Sequence, residues 1–179
     1  MKLIILDRDG VINQDSEHFI KSPDEWIPLD GSLAAIAKLQ QAGYTIAVAT
    51  NQSGVGRGLY DEETLFAIHQ KMQLLLKPLD VAIDFIAYCP HKPEDGCDCR
   101  KPKAGLFEQI AKHYQIDLNN VPTIGDSLRD LQAGVAAGCQ PILVRTGNGK
   151  KTEVHPDLPE HTLIFNDLAQ ACDYLTSTP

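Results

Sequence analysis

The chain has 179 residues, 43% hydrophobic and 22% charged, an ordinary globular composition at a length that suits one domain over 1–179. Its formal net charge of −8 argues against broad binding to nucleic acid or anionic membranes, yet leaves room for a small anionic substrate held by local cations. No apolar run approaches the roughly 20 residues that span a bilayer, and Asp7 interrupts the N-terminal apolar stretch, so the cytoplasm is the expected compartment.

Residues 2–6 (KLIIL) form a short apolar run that suits a buried parallel strand. It stops at Asp7-Arg8-Asp9-Gly10, which spaces two carboxylates i, i+2. Like charges are costly to bury for packing alone, and open α/β sheets place ligands at the carboxyl ends of their strands. The pair therefore reads as a site: one carboxylate to attack, one to move a proton, and a cation nearby to offset their repulsion. An ordinary surface acid pair is the alternative at this point. Residues 32–42 read as a helix flanked by Gly31 and Gly43, and 44–49 as a second strand running into Thr50-Asn51-Gln52-Ser53-Gly54. Asp61 is placed to cap a helix that runs to about Lys77, before Pro78, and 83–88 is a third strand. A loop over 89–103, rich in Pro, Gly, Asp and Cys, precedes a helix over 105–114. A strand over 121–124 then leads to Gly125-Asp126, and a helix over 128–137 stops at Gly138. Strands over 141–144 and 162–165 and a helix over 167–175 complete the pattern, with fraying expected after Tyr174.

This alternation predicts an α/β fold, a parallel sheet with helices on both faces. Strand ends then aim Asp7 and Asp9, Thr50 and Asn51, and Asp126 and Asp130 at one edge. Each group alone also reads as a turn or a helix cap, but coincidence at three strand ends favours a site.

Five cysteines is an odd count, and Cys89, Cys97 and Cys99 cluster with His91 as C-x-H-x5-C-x-C. In a reducing compartment that pattern favours metal over disulfides. Three thiolates and one imidazole make a tetrahedral Zn²⁺ set, structural because no coordination position stays open. Reactive redox thiols are the competing reading. A zinc loop over about 89–103 would freeze a segment with no core of its own and aim Arg100 and Lys101 at the site. Cys139 and Cys172 read as small buried apolar residues.

Asp7-Arg8-Asp9-Gly10, Thr50, the Arg100-Lys101-Pro102-Lys103 run and the GDxxxD of Gly125 to Asp130 resemble, in order, the four motifs of the haloacid dehalogenase superfamily. The resemblance implies a Rossmann-like core, a Mg²⁺ cofactor and an aspartyl-phosphate intermediate. It implies Asp7 as the nucleophile, with Mg²⁺ held by Asp7, the backbone carbonyl of Asp9, and Asp126. Asp9 would protonate the leaving oxygen and then activate water. Thr50 and Lys101 would hold the phosphoryl oxygens, with Lys103 as the alternative lysine.

The zinc loop, the Thr50-to-Gly54 segment and Cys99-Arg100-Lys101-Pro102 resemble, more narrowly, the D-glycero-D-manno-heptose 1,7-bisphosphate phosphatase group. The histidinol-phosphate phosphatase group shares nearly the same zinc loop, but GVGRG at 54–58 and VRTGNG at 144–149 favour the heptose group. The function this implies is removal of the C7 phosphate in the synthesis of ADP- or GDP-heptose, a lipopolysaccharide-core or S-layer precursor. Histidinol phosphate is the rival substrate, and a non-catalytic, zinc-stabilised binder of a phospho-ligand is the rival of another class. Core elements and the zinc loop fill the intervals where this superfamily inserts large caps, so a minimal cap and an open site are expected. Loops must then read the sugar: Arg8, Asp15, Ser16, Glu17 and His18, then Asn51, Gln52 and Ser53, and Arg100 with its planar fork. Arg57, Arg145, Lys150 and Lys151 are further candidates to attract the distal phosphate, with a solvated face the competing reading for the lysines. A monomer is expected.

Overall fold

The computed structural model describes residues 1–177. One sheet of six parallel strands runs in the order β3-β2-β1-β4-β5-β6. The strands are β1 Lys2–Leu6, β2 Tyr44–Asn51, β3 Phe85–Cys89, β4 Pro122–Gly125, β5 Gln140–Val144 and β6 Leu163–Phe165. The α-helices are α1 Ser32–Gln41, α2 Ser53–Gly56, α3 Glu62–Leu76, α4 Gly105–Tyr114, α5 Leu128–Ala136, α6 Gly149–Glu153 and α7 Leu168–Ser177.

The two-residue period of the strands decides the layers. Ile4 and Leu6 of β1, with Ile46 and Val48 of β2, meet Ile36, Leu39, Ile68, Met72 and Cys172 from α1, α3 and α7. Leu3, Ile5, Ala47 and Ala49 point the other way, onto Leu106, Phe107 and Ile110 of α4 and Ala133 of α5. Both faces are thus covered, which is why β1 reads as an unbroken apolar run. Cys139 and Cys172 are buried in these two cores, as expected. The chain builds outward from β1 to β3 and then crosses to β4, so the strand order switches beside β1. Ligands of open α/β sheets bind at such a switch, beyond the carboxyl ends of the strands.

Differences from the sequence reading have local causes. β2 continues through Thr50 and Asn51 because they pair with Tyr88 and Cys89 of β3. The partner strand satisfies their backbone groups, which outweighs the turn preference of Thr-Asn. β3 begins at Phe85 rather than Ile83, because the Gln73 side chain of α3 takes both backbone groups of Ile83, at 3.0 and 2.7 Å. The short helices α2 and α6 carry glycines and give no helical period, so sequence reading passed them over. α7 does not fray after Tyr174: it reaches Ser177, with the Thr176 and Ser177 hydroxyls donating back to Cys172 O and Tyr174 O, both at 2.9 Å.

Between β1 and α1, residues 7–31 contain only the isolated bridges Asp9↔Asn13 and Asn13↔Pro28. Trp26 sinks fully into the core, and Lys71 of α3 donates to Pro23 O and Trp26 O, which pins this loop down. Between β2 and β3 stand α2, α3 and a short 3-10 turn, so the cap is minimal, as expected. No helix among the described residues is long and apolar enough to cross a membrane.

Candidate active site and metal centres

Asp7 directly follows β1, and its backbone N–H donates to Ile124 O of β4 at 2.9 Å. Lys101 arrives from the loop over 89–103 with its side chain only 2% exposed. Its Nζ lies 3.0 Å from Asp7 Oδ1 and 2.7 Å from Asp130 Oδ1, and donates to Ala49 O at 2.7 Å. Lys103, by contrast, is half-exposed and donates to Cys97 O on the outer side of the loop. Of the two candidate lysines, the structure brings Lys101 to the site. Burial works against the Lys101 charge, but Asp130 and Asp7 outweigh it and hold its pKa above the usual lysine value. Asp130 is the reciprocal case: burial opposes its charge, and Lys101 overrides that and keeps its pKa low.

The carboxylate oxygens of Asp7, Asp126 and Asp130 lie within 4.8 Å of one another. Among the described residues, Lys101 is the one cation in ion-pair contact with Asp7 and Asp130, and Asp126 has no ion-pair partner. Burial and then the Asp130 charge push Asp126 up to about 7, and the same two causes raise Asp7 well above the carboxylate range. Such crowding is what a divalent cation relieves, and hard carboxylate oxygens suit Mg²⁺. The chain packs closely to hold Asp126 there. A Cβ on Gly10 (φ 83°) or on Gly147 (φ 54°) would meet Asp126 Oδ2 at 2.1 Å, so both positions require glycine. The Asn148 backbone N–H donates to the same oxygen at 2.8 Å, and Ser127 Oγ donates to Oδ1 at 3.0 Å.

Asp9 sits in a ring of donors. Arg8 Nε and Asn13 Nδ2 donate to Oδ1 at 2.9 and 2.8 Å, and Arg8 Nη2 and Gln52 Nε2 donate to Oδ2 at 3.2 and 3.1 Å. Burial raises its pKa, but the Arg8 charge and these hydrogen bonds prevail and hold Asp9 below the usual carboxylate range. Thr50 is buried at the end of β2, and Asn51 makes a reciprocal pair with the Lys101 backbone at 3.0 and 3.1 Å. That pair ties the end of β2 to the loop that delivers Lys101.

Asp7, Asp9, Thr50, Lys101 and Asp126 meet in one cleft of about 270 Å³, with Asp15, Ser16, Asn51, Gln52, Ser53 and Arg100 also on its walls. Arg8, expected to touch substrate, does not reach the cleft: it is fully buried, with its guanidinium spent on Asp9, Gln52 and His69. Glu17 and His18 are exposed and lie off the cleft walls. Arg145 is paired with Glu153. Sequence reading missed Phe19, Ile20, Ser127 and Arg129 on the walls. Ser127 and Arg129 occupy the unspecified positions of GDxxxD, so the motif located them without naming them. Of the five arginines, Arg57, Arg100 and Arg129 have no carboxylate within ion-pair distance among the described residues, and all three line this cleft.

The second cluster lies next to the first. Cys89 ends β3, and its sulfur is 3.6 Å from Cys97 Sγ, 3.0 Å from Cys99 Sγ and 3.5 Å from His91 Nδ1. All four ligand atoms fall within 4.8 Å of one another. Around Zn²⁺, with Zn–S about 2.3 Å, tetrahedral sulfurs stand about 3.8 Å apart, so the set fits such an ion with small adjustments. Gln52 N donates to Cys89 O at 2.7 Å, which stitches the start of this loop to the end of β2.

The family model described as HAD-hyrolase-like matches residues 98–171. The chain is 58% identical, over 98% of both chains, to the D-glycero-beta-D-manno-heptose-1,7-bisphosphate 7-phosphatase of Bordetella bronchiseptica. It is 54% identical, over 97% of both chains, to that of Pseudomonas aeruginosa. The crystal structure of the D,D-heptose 1,7-bisphosphate phosphatase from B. bronchiseptica, complexed with magnesium and phosphate, matches with a TM-score of 0.98 at 57% identity over 100% of each chain. The corresponding enzyme from Burkholderia thailandensis matches with a TM-score of 0.75 at 45% identity, covering 98% of this chain and 99% of the other. Likeness of that depth, along a chain whose separate motifs converge on one cleft, means that the protein belongs to the HAD-like hydrolases, in the D-glycero-beta-D-manno-heptose-1,7-bisphosphate 7-phosphatase family.

Proposed function

We propose that the chain hydrolyses the C7 phosphate of D-glycero-beta-D-manno-heptose 1,7-bisphosphate and leaves the phosphate on C1. The observation that carries this reading is the 58% identity to a relative of that name over 98% of both chains. Asp7 and Asp9 are both present, which a mere binder would not need.

An Asp7 oxygen attacks phosphorus, and as the bond from phosphorus to the C7 oxygen breaks, that oxygen takes a proton from Asp9. A water then returns a proton to Asp9 and attacks the aspartyl phosphate, releasing inorganic phosphate and restoring Asp7. The donors around Asp9 favour its ionised form, which serves the second step. The phosphate dianion arriving beside it raises its hold on the proton used in the first. Lys101 and Thr50 donate to the phosphoryl oxygens from fixed positions. Mg²⁺, held by Asp7, Asp126 and the backbone carbonyl of Asp9, supplies neutralisation between the carboxylate and the phosphoryl group.

Magnesium affinity should fall in acid. Asp126 titrates at about 7 in the metal-free fold against 3.8 for an ordinary Asp. Its folded form therefore holds a proton between these values that the unfolded chain has lost, and metal-free stability falls as pH rises through that window. The melting temperature gained on adding Mg²⁺ should be larger near about pH 8 than near about pH 5.5, where protons compete for the site. Equal gains at both would remove Asp126 from the ligand set.

Lys101 and Mg²⁺ are the inner cations and suffice for one phosphate dianion, so the C1 phosphate lies outward, against Arg57, Arg100 and Arg129. Burial, then the charges of Arg129 and Arg57, depress the Arg100 pKa. Arg100→Ala and Arg129→Ala should each lower kcat/KM for the bisphosphate by about ten-fold or more, the value of one charged hydrogen bond. An aryl phosphate, which has no second phosphate, should be nearly unaffected. Phosphorus NMR of the wild-type product should show phosphate retained at C1. Higher kcat/KM for histidinol phosphate would move the assignment to that substrate and leave the catalytic core standing.

Zn²⁺ on Cys89, His91, Cys97 and Cys99 is structural in this reading. The five cysteines are unpaired, which suits a reducing compartment such as the cytoplasm. The chain supplies every group of the proposed site, so a monomer suffices.

A further inference from the structure

Behind the cleft lies a buried polar network that no catalytic step uses directly. Arg8, Gln52, Tyr60 and His69 are 0, 3, 8 and 8% exposed. Arg8 Nη1 lies 3.1 Å from His69 Nε2. Guanidinium has only donors, so His69 Nε2 accepts and the ring carries its proton on Nδ1. Burial, reinforced by the Arg8 charge, pulls the His69 pKa down to about 3, in keeping with a neutral acceptor. On the other side, Tyr60 OH donates to Gln52 Oε1 at 2.6 Å, and Arg8 Nη2 donates to the same oxygen at 3.2 Å. Two donors on one oxygen settle the orientation of the Gln52 amide. Its NH₂ group must then face Asp9 Oδ2, at 3.1 Å, and Thr50 Oγ1, at 2.8 Å.

The network thereby sets two reacting groups at once. Arg8 and Gln52 clamp both oxygens of Asp9. Gln52 also occupies an acceptor lone pair of the Thr50 hydroxyl, so the Thr50 hydrogen is left to point at a phosphoryl oxygen. An amide flip would set NH₂ against the Arg8 guanidinium and the Tyr60 hydroxyl, and would withdraw the donor from Asp9. We propose that His69 and Tyr60 are positioning residues: by locking Arg8 and Gln52 from behind, they hold Asp9 in the orientation that delivers its proton to the leaving oxygen. Neither lines the cleft, so they act through Asp9 and Thr50 rather than on substrate. This rests on the reading of Asp9 as the proton donor and not on the identity of the sugar.

The test uses leaving groups. An alkyl ester such as the heptose bisphosphate releases a poor leaving oxygen that needs the Asp9 proton, whereas p-nitrophenyl phosphate releases a stable phenolate that does not. On kcat/KM, which covers steps only through loss of the leaving group, Asp9→Asn should be far worse on the alkyl ester and calibrates the assay. Tyr60→Phe and His69→Phe should lose about ten-fold or more on the alkyl ester and no more than about three-fold on the aryl ester. His69→Gln, which keeps an acceptor for Arg8, should recover most of the loss. A general loosening of the fold would depress both substrates alike. Should His69→Phe fail to fold, Tyr60→Phe decides alone, since it deletes only a hydroxyl. Equal losses on the two esters, or a folded Tyr60→Phe with wild-type kcat/KM on both, would overturn the proposal. Histidinol phosphate serves as the alkyl ester if the heptose reading fails, so the two failures are distinguishable.

Discussion

Asp7→Asn should abolish phosphate release while the fold and the binding of substrate survive. An amide is no nucleophile toward phosphorus and cannot form the acyl phosphate, so no slower version of the same path remains. The fold should tolerate the change because Asp7 is the carboxylate that burial and its neighbours Asp130 and Asp126 make costly to ionise. Removing its charge relieves that crowding, and Lys101 keeps its partner Asp130 at 2.7 Å. Asp9→Asn should retain a trace of activity, with proton transfer worth about 100- to 10,000-fold lost. Phosphate release measured beside a thermal melt checks both. Substantial turnover by folded Asp7→Asn protein would eliminate the covalent route.

Cys97→Ser should lower stability and activity together. From His91 to Arg100 the loop is largely exposed, and only Cys97 and Cys99 of it pack against a core. Its ends are anchored, by Gln52 on Cys89 and by Asn51 on Lys101, while the turn between them is held by a few surface hydrogen bonds, such as Lys103 to Cys97 O, and by the four metal ligands. Loss of one ligand frees the segment that places Arg100 and Lys101. Structural zinc is coupled to folding, so a loss of about 3 kcal/mol is expected, which lowers Tm by about 6–12 °C for a chain of this size. A weak chelator should remove Mg²⁺ and activity, both restored on re-addition, while one zinc per chain remains by elemental analysis. Normal zinc content, melting and turnover in Cys97→Ser would refute a structural zinc there.

How legible the molecule was depends on the range of each signal. β1 and α4 match their predicted bounds because a run such as KLIIL and the period of GLFEQIAKHY are local patterns. The convergence of Asp7, Thr50 and Asp126 was also readable, since a parallel sheet brings successive strand ends to one edge. The clustering of Cys89, His91, Cys97 and Cys99 was readable because they lie within eleven residues.

Loop side chains were a different matter, because contacts from distant parts of the chain decide where they point. Arg8 stands between the carboxylates of Asp7 and Asp9 in sequence, yet it faces inward, drawn there by His69 of α3 and by Gln52. Lys101 enters the site and Lys103 leaves it because Asp130, on α5, waits on one side of the loop only. Arg129 fills a position that GDxxxD leaves unspecified, and gains its place on the cleft wall from the first turn of α5. Motif and period determine which chemistry the chain carries and at which edge it gathers. The pairing of buried charges, Lys101 with Asp130 and Arg8 with Asp9, decides which side chains face the substrate, because an unpaired charge cannot remain buried and each must turn toward its partner.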